Sequence, residues 1–144
     1  MNTPISSLMT SPAWAVGMDD TIEAIEAMMT RQRLSWVPVV DSNDVSIGVI
    51  ALSDLLQFHI RKDDPAKVAA WQICSYKPIS VGADTSVIDV ARLMVEHKIH
   101  HVVVTQTDGM VGVVSALDFV RRFTLDSDRA GDWPAGTPES RTSP

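Results

Sequence analysis

Two stretches of this chain carry residue types that chemistry needs: Gly48-Val49-Ile50-Ala51-Leu52-Ser53-Asp54 and Gly112-Val113-Val114-Ser115-Ala116-Leu117-Asp118. Each reads as a strand, a short turn and the start of a helix, with a carboxylate in the first helical turn. Such a helix end offers unpaired N–H groups and the positive end of a dipole to an anion. A hydroxyl at Ser115 can add a hydrogen bond to a phosphate held there. A carboxylate at Asp118 can accept from both vicinal hydroxyls of a ribose. The chemistry implied is the holding of a nucleotide. A plainer alternative stands beside it: Asp54 and Asp118 as acids favoured by the helix dipole, and Ser115 as a cap. The two roles are compatible, because both use the same unpaired donors.

Other polar residues do not assemble into a reaction centre. No nucleophile with its base, no carboxylate pair and no metal-activated water can be built from the spacing, so no catalysis is expected. His97, His100 and His101 with Glu96 invite a metal reading, yet they cross a helix-to-strand boundary and match no zinc pattern. They are expected to be exposed polar residues. For His100 and His101 the alternative is a cleft lining, where a histidine could touch phosphate and make binding pH-dependent.

The elements that must position these residues are written twice. Val16 to Leu56 lies over Val81 to Val120 with one residue dropped in a loop. The match pairs Asp19 with Asp84, Thr21 with Ser86, Met29 with Met94, Leu34 with Ile99, Gly48 with Gly112 and Asp54 with Asp118. Such a unit cannot bury its apolar face alone, so function is expected in clefts between the copies. Each copy reads as strand, helix, strand, turn, strand, helix. Asp20 or Thr21 caps the first helix, with Glu23 completing a capping box if Asp20 is the cap. Ile22, Ile25, Met28 and Met29 give its apolar stripe, repeated by Val87, Val90, Leu93 and Met94 behind Ser86. The runs Val37-Pro38-Val39-Val40 and Val102-Val103-Val104 read as buried strands. Asp64 and Pro65 predict a linker helix through Trp71.

Composition narrows the class. The chain has 144 residues, 45% of them hydrophobic and 21% charged, a globular balance. A net charge of −6, with no basic cluster longer than a pair, argues against nucleic acid as partner. Cys74 is the only cysteine, so no internal disulfide can form. No apolar run approaches a membrane span, and the first residues lack the pattern of a signal peptide. A cytoplasmic protein without membrane attachment is expected.

With Leu8-Met9-Thr10 and the stretch Leu34-Ser35-Trp36-Val37-Pro38-Val39-Val40-Asp41, residues 5 to 125 resemble a tandem pair of cystathionine-β-synthase-type (CBS) domains. The resemblance implies an α/β (α+β) fold of two pseudo-symmetric β-α-β-β-α repeats packed through their sheets. It also implies an adenosine-containing ligand (AMP, ADP, ATP or S-adenosylmethionine) in one or both clefts, with no other cofactor. A homodimer acting as a sensor on a regulated enzyme or transporter goes with it. The family motif is Gly-apolar-apolar-Thr/Ser-x-x-Asp. Copy two meets it in full; copy one keeps Asp54 but has Ala51 at the hydroxyl position, which removes one phosphate donor. By the same resemblance the base rests near Cys74, Ile79, Ile99 and Val114 in the second site. Met9, Trp14, Leu34 and Ile50 are the equivalents in the first.

The expected partition is repeat one over 1–62, a linker over 63–72, repeat two over 73–125 and a mobile polar tail over 126–144. The function expected is a regulatory adenine-nucleotide module acting mainly through the copy-two cleft. Its alternative is a structural dimerisation module without a physiological ligand.

Overall fold

In the computed structural model, which describes residues 3–76, 79–107 and 109–130, each copy runs strand, helix, strand, strand, helix. The first copy comprises β1 (Val16–Gly17), α1 (Ile22–Gln32), β2 (Trp36–Val40), β3 (Ser46–Ala51) and α2 (Leu52–Arg61). A short helix α3 (Ala70–Ile73) and strand β4 (Ser75–Tyr76) lead onward. The second copy comprises β5 (Ser80–Gly82), α4 (Val87–His97), β6 (His101–Gln106), β7 (Gly109–Ser115) and α5 (Ala116–Ala130).

Local chemistry sets these elements. Thr21 caps α1 by accepting from the Ala24 N–H at 3.1 Å, and Ser86 caps α4 through Asp89 N–H at 3.1 Å. Asp20 is therefore not the cap; its carboxylate is turned back to the Gly17 N–H at 2.8 Å, and no capping box with Glu23 forms. Both stripes face inward, with Ile22, Ile25, Met29, Val87, Val90 and Met94 buried. The valine-rich strands β2 and β6 lie against them and are likewise covered. The linker helix predicted to begin at Pro65 forms later. Asp64 instead closes a turn by accepting from Ala66 N–H, and only Ala70–Ile73 is helical. Helix α5 runs to Ala130, past the expected end of the second repeat at 125. The expected mobile tail from residue 131 onward lies outside the described residues.

Packing does not follow the sequence partition. Strands β1, β2, β3 and β4 form one sheet, so the strand that follows the linker closes the first copy's sheet, Ser75 opposite Val49. Strands β5, β6 and β7 form the other, and Thr10, far upstream, takes the corresponding edge opposite Val113. Ile5, fully buried, belongs to the second copy's core, while Ala70 and Cys74 belong to the first. The backbone ties are mirrored. Ile5 N–H donates to the Thr85 carbonyl at 2.7 Å and Val87 N–H to that of Thr3 at 2.8 Å. Their counterparts are Ala70 N–H to Asp20 at 2.8 Å and Ile22 N–H to Val68 at 2.9 Å. Each repeat is completed by the segment that precedes the other repeat in the chain.

Candidate functional site

The ends of β3 and β7 carry the motif, and their glycines mark where a crossing segment comes closest. A Cβ on Gly112 would lie 2.7 Å from the Met9 sulfur and 2.8 Å from the Thr10 carbonyl oxygen. On Gly48 it would meet the Ser75 carbonyl oxygen at 2.6 Å and the Cys74 sulfur at 2.9 Å. The crossing segments thus hold Thr10 and Ser75 at the strand edges, one beside each motif.

Beyond β7, Ser115 and Asp118 form a reciprocal cap on α5. The Asp118 carboxylate accepts from Ser115 N–H at 2.8 Å, and the Ser115 hydroxyl oxygen accepts from Asp118 N–H at 3.3 Å. Ala116 N–H donates to the His100 carbonyl at 2.8 Å. Of the first-turn donors expected to meet a phosphate, the Leu117 N–H is the one still open among the described residues. The cap leaves the Ser115 hydroxyl proton and the second Asp118 oxygen free for a ligand. In the first copy Asp54 accepts from Ala51 N–H at 2.8 Å, but the Ala51 methyl group cannot return the bond.

Two clefts flank these turns. One, of about 310 Å³, is lined by Ser115 and Asp118, by Val113 and Val114, and by Thr10, Trp14, Leu34, Trp36 and Pro38. Arg33 and Arg121 stand in the same lining and supply positive charge. The other, of about 560 Å³, is lined by Ala51, Ser53, Ser75, Tyr76, Ile79, Ile99 and His100, with Lys98 as its cation. Asp118 lines its cleft; Asp54 does not line the other.

Val114 lines the Ser115–Asp118 cleft as expected, but most of the other residues expected beside a base are exchanged between the clefts. Trp14 and Leu34 face Ser115 and Asp118, while Ile79, Ile99 and His100 face Ala51. The cause is that the residues after α1 and those after α4 cross to the other copy's motif. Leu52 N–H donates to the Ser35 carbonyl and Ala116 N–H to that of His100, so each loop stays bonded to its own copy's motif while Leu34 and Ile99 face the other's. Cys74 and Ile50 are buried in the first copy's core and line neither cleft. Met9 packs against the second copy's core. Burial, opposed by a Tyr76 hydrogen bond, pushes the Cys74 thiol up and so disfavours the thiolate.

Trp36 and His101 stack with centroids 4.6 Å apart and planes 6° from parallel. Burial is the main reason His101 is held below the ordinary histidine value near 6.5, with His100 adding to the lowering and Asp118 opposing it. Below that value the unfolded chain takes up a proton that the native ring refuses, so acid removes stability. The melting temperature is expected to fall from about pH 7.5 to about pH 5.5, and to fall less in His101→Phe, which keeps an aromatic partner for Trp36. Thermal melts across that range check it.

The CBS domain family matches residues 5–61 and 69–124. The chain belongs to the CBS domain family. Its two CBS repeats are 30% identical over 106 residues to an inosine-5′-monophosphate dehydrogenase of Halobacterium salinarum, covering 72% of this chain and 20% of that enzyme. They are 27% identical over 117 residues to the uncharacterised protein YlbB of Bacillus subtilis, covering 81% and 79%. The fold matches a putative acetoin utilization protein (AcuB) from Vibrio cholerae with TM-score 0.81 at 21% identity, over 93% and 100% of the two chains. It also matches CBSX2 in complex with AMP, TM-score 0.75 at 22% identity over 87% and 98%. The CBS domain pair of MJ0100 in complex with 5′-methylthioadenosine and S-adenosyl-L-methionine matches with TM-score 0.75 at 20% identity, over 88% and 99%.

His101 lines the Ser115–Asp118 cleft, as its cleft-lining alternative held, and Trp36 lines it too; Thr10, Arg33 and Arg121 line it without having been expected there. A signal for Arg33 exists: it and Lys98, its counterpart in the repeat, are the positive-φ residues that end α1 and α4. Arg121 reads from sequence as a dipole partner of its helix; Arg122 beside it instead donates to the Ser7 carbonyl at 3.1 Å. Among the described residues no cluster of three or more metal-ligating side chains occurs, and no helix is long and apolar enough to cross a membrane.

Proposed function

We propose that this CBS pair is a regulatory module that binds an adenine nucleotide in the Ser115–Asp118 cleft and signals occupancy through a homodimer in the cytoplasm. One observation carries it: a hydroxyl, a carboxylate, two arginines and two tryptophans share one cleft. Asp118 accepts from ribose hydroxyls, Ser115 donates to phosphate, and Arg33 and Arg121 neutralise it. Trp14, about half exposed, offers an aromatic face for the base. The AMP complex of CBSX2 and the 5′-methylthioadenosine and S-adenosyl-L-methionine complex of MJ0100 support the ligand class. The ligand touches both copies, so it favours one orientation of the two and transmits that preference.

For the dimer, the support is apolar surface. Leu52, Leu56 and Ile60 recur at every fourth position on α2, and Leu117 and Val120 lie on α5, all at least half exposed. Such stripes fit a self-complementary contact between copies. The regulated partner is an enzyme or transporter. Calorimetry against AMP, ADP, ATP and S-adenosylmethionine, with light scattering for mass, tests the whole. Heat with none of them would favour the alternative of a purely structural dimerisation module, for which the mutual capping of Ser115 and Asp118 already gives those residues a role.

Ala51→Ser probes the motif directly. The new hydroxyl can cap α2 as Ser115 caps α5, adding about 0.5–2 kcal/mol of stability. It also supplies the phosphate donor missing from the larger cleft. A higher melting temperature with stronger AMP binding at a second site is expected. A stabilised variant with unchanged AMP binding would leave the hydroxyl a capping role alone.

A further inference from the structure

The Trp36–His101 stack belongs to both clefts: each ring lines the Ser115–Asp118 cleft on one side and the Ala51 cleft on the other. The two rings are repeat-related, and each faces a motif across its own sheet. Trp36 is the ladder partner of Ala51, and His101 that of Ser115. The pair is a thin partition between two cavities. We propose that this two-ring wall links the clefts energetically, so that a nucleotide seated in one weakens binding in the other.

The sign follows from volume and anchoring. At about 310 Å³ the Ser115–Asp118 cleft is near the lower end of ligand pockets, about 300–1,000 Å³, so a nucleotide fills it and bears on its walls. The floor formed by β7 and the start of α5 is tied by the bonds of Ser115, Ala116 and Asp118. Among the described residues no hydrogen bond anchors either ring of the wall, which is held by stacking. Behind it lie about 560 Å³ of open cleft. The wall is therefore the side that yields, and space gained by one cleft is taken from the other. Protein interiors shift between discrete packings, so one wall position serves one cleft at a time.

This inference rests on the nucleotide reading above, and its test separates the two. AMP is titrated calorimetrically into the full chain, into Asp118→Ala, which disables the Ser115–Asp118 cleft and leaves the Ala51 cleft, and into Lys98→Asn, which strips the Ala51 cleft of its cation at a left-handed position that Asn tolerates and leaves the other. The second AMP is expected to bind wild type at least about fivefold more weakly than the weaker isolated cleft binds it, at the low end of ordinary couplings. In His101→Ala, with half the wall removed, that gap is expected to close to within about twofold. NMR of the His101 ring protons in wild type gives a second measure that needs no variant to fold. The ring-current shift from Trp36 is expected to change when AMP binds. Stepwise constants equal to those of the isolated clefts, a gap that persists in His101→Ala, an unmoved ring signal, or no AMP binding by the Ala51 cleft when it is isolated in Asp118→Ala would each overturn the link while leaving the nucleotide reading intact. No AMP binding at millimolar concentration would overturn both.

Discussion

Asp118→Ala is expected to weaken AMP binding by about ten- to a hundredfold, the loss of charge-assisted hydrogen bonds of about 1.5–3 kcal/mol. Asp54→Ala is expected to cost far less, because Asp118 lines its cleft beside Ser115 and two arginines, whereas Asp54 only ties down the Ala51 N–H. Both substitutions also strip a cap from a helix, which lowers stability by about 1 kcal/mol in each and so cancels in the comparison. Asp118→Asn refines the test: its amide oxygen can still accept from Ser115 N–H, while the charge that favours ribose hydroxyls is gone. Calorimetry with AMP at fixed salt reads the result. Equal affinity losses at positions 118 and 54 would sink the ranking of the clefts.

Gly112→Ala is expected to have a large structural effect. The added methyl would stand 2.8 Å from the Thr10 carbonyl oxygen and 2.7 Å from the Met9 sulfur. The sulfur can swing aside, but the carbonyl is backbone, in a bridge where Thr10 and Val113 exchange N–H groups at 2.8 and 3.2 Å. Relief requires the segment before β1 to lift from β7, at an overpacking cost of about 1–3 kcal/mol. For a chain of this size that is a drop of roughly 4–10 °C in melting temperature. AMP affinity should fall with it, because the lifted segment carries Thr10 and Trp14 of the cleft. An unchanged melting temperature would mean that the segment contributes little to the second copy.

The repeat, its helix stripes and its capping hydroxyls are legible in the sequence because they are local: Thr21 and Ser86 precede their stripes by one residue, and Val37 and Val102 start runs that only burial explains. The pairing of Ser115 with Asp118 is legible for the same reason, being three residues apart at a strand-to-helix turn. Which cleft each loop serves is not. Leu34 and Ile99 are equivalent by repeat, and either could complete either motif; the crossing that gives Leu34 to Ser115 depends on how the sheets meet. Asp20 misleads because an acid next to Thr21 satisfies the same capping pattern, and the structure uses it for the Gly17 turn. The linker helix fails because Asp64 closes its bond within a tight turn, and the chain must stay extended at Val68 and Ala69 to bond with Ile22 and Thr21.

The crossed segments also set the order in which this molecule can be made. Ile5 leaves the ribosome before its neighbours Val90, Val104, Val114 and Phe119, the last two of which emerge over a hundred residues later. At about 5–20 residues per second that is several seconds during which its apolar side chain has no home. The first copy cannot close early either, because its sheet waits for Ser75 and its core for Ala70 and Cys74. Long-range closures of this kind slow folding. A ribosome-bound chain stopped after residue 62 should therefore remain open to protease.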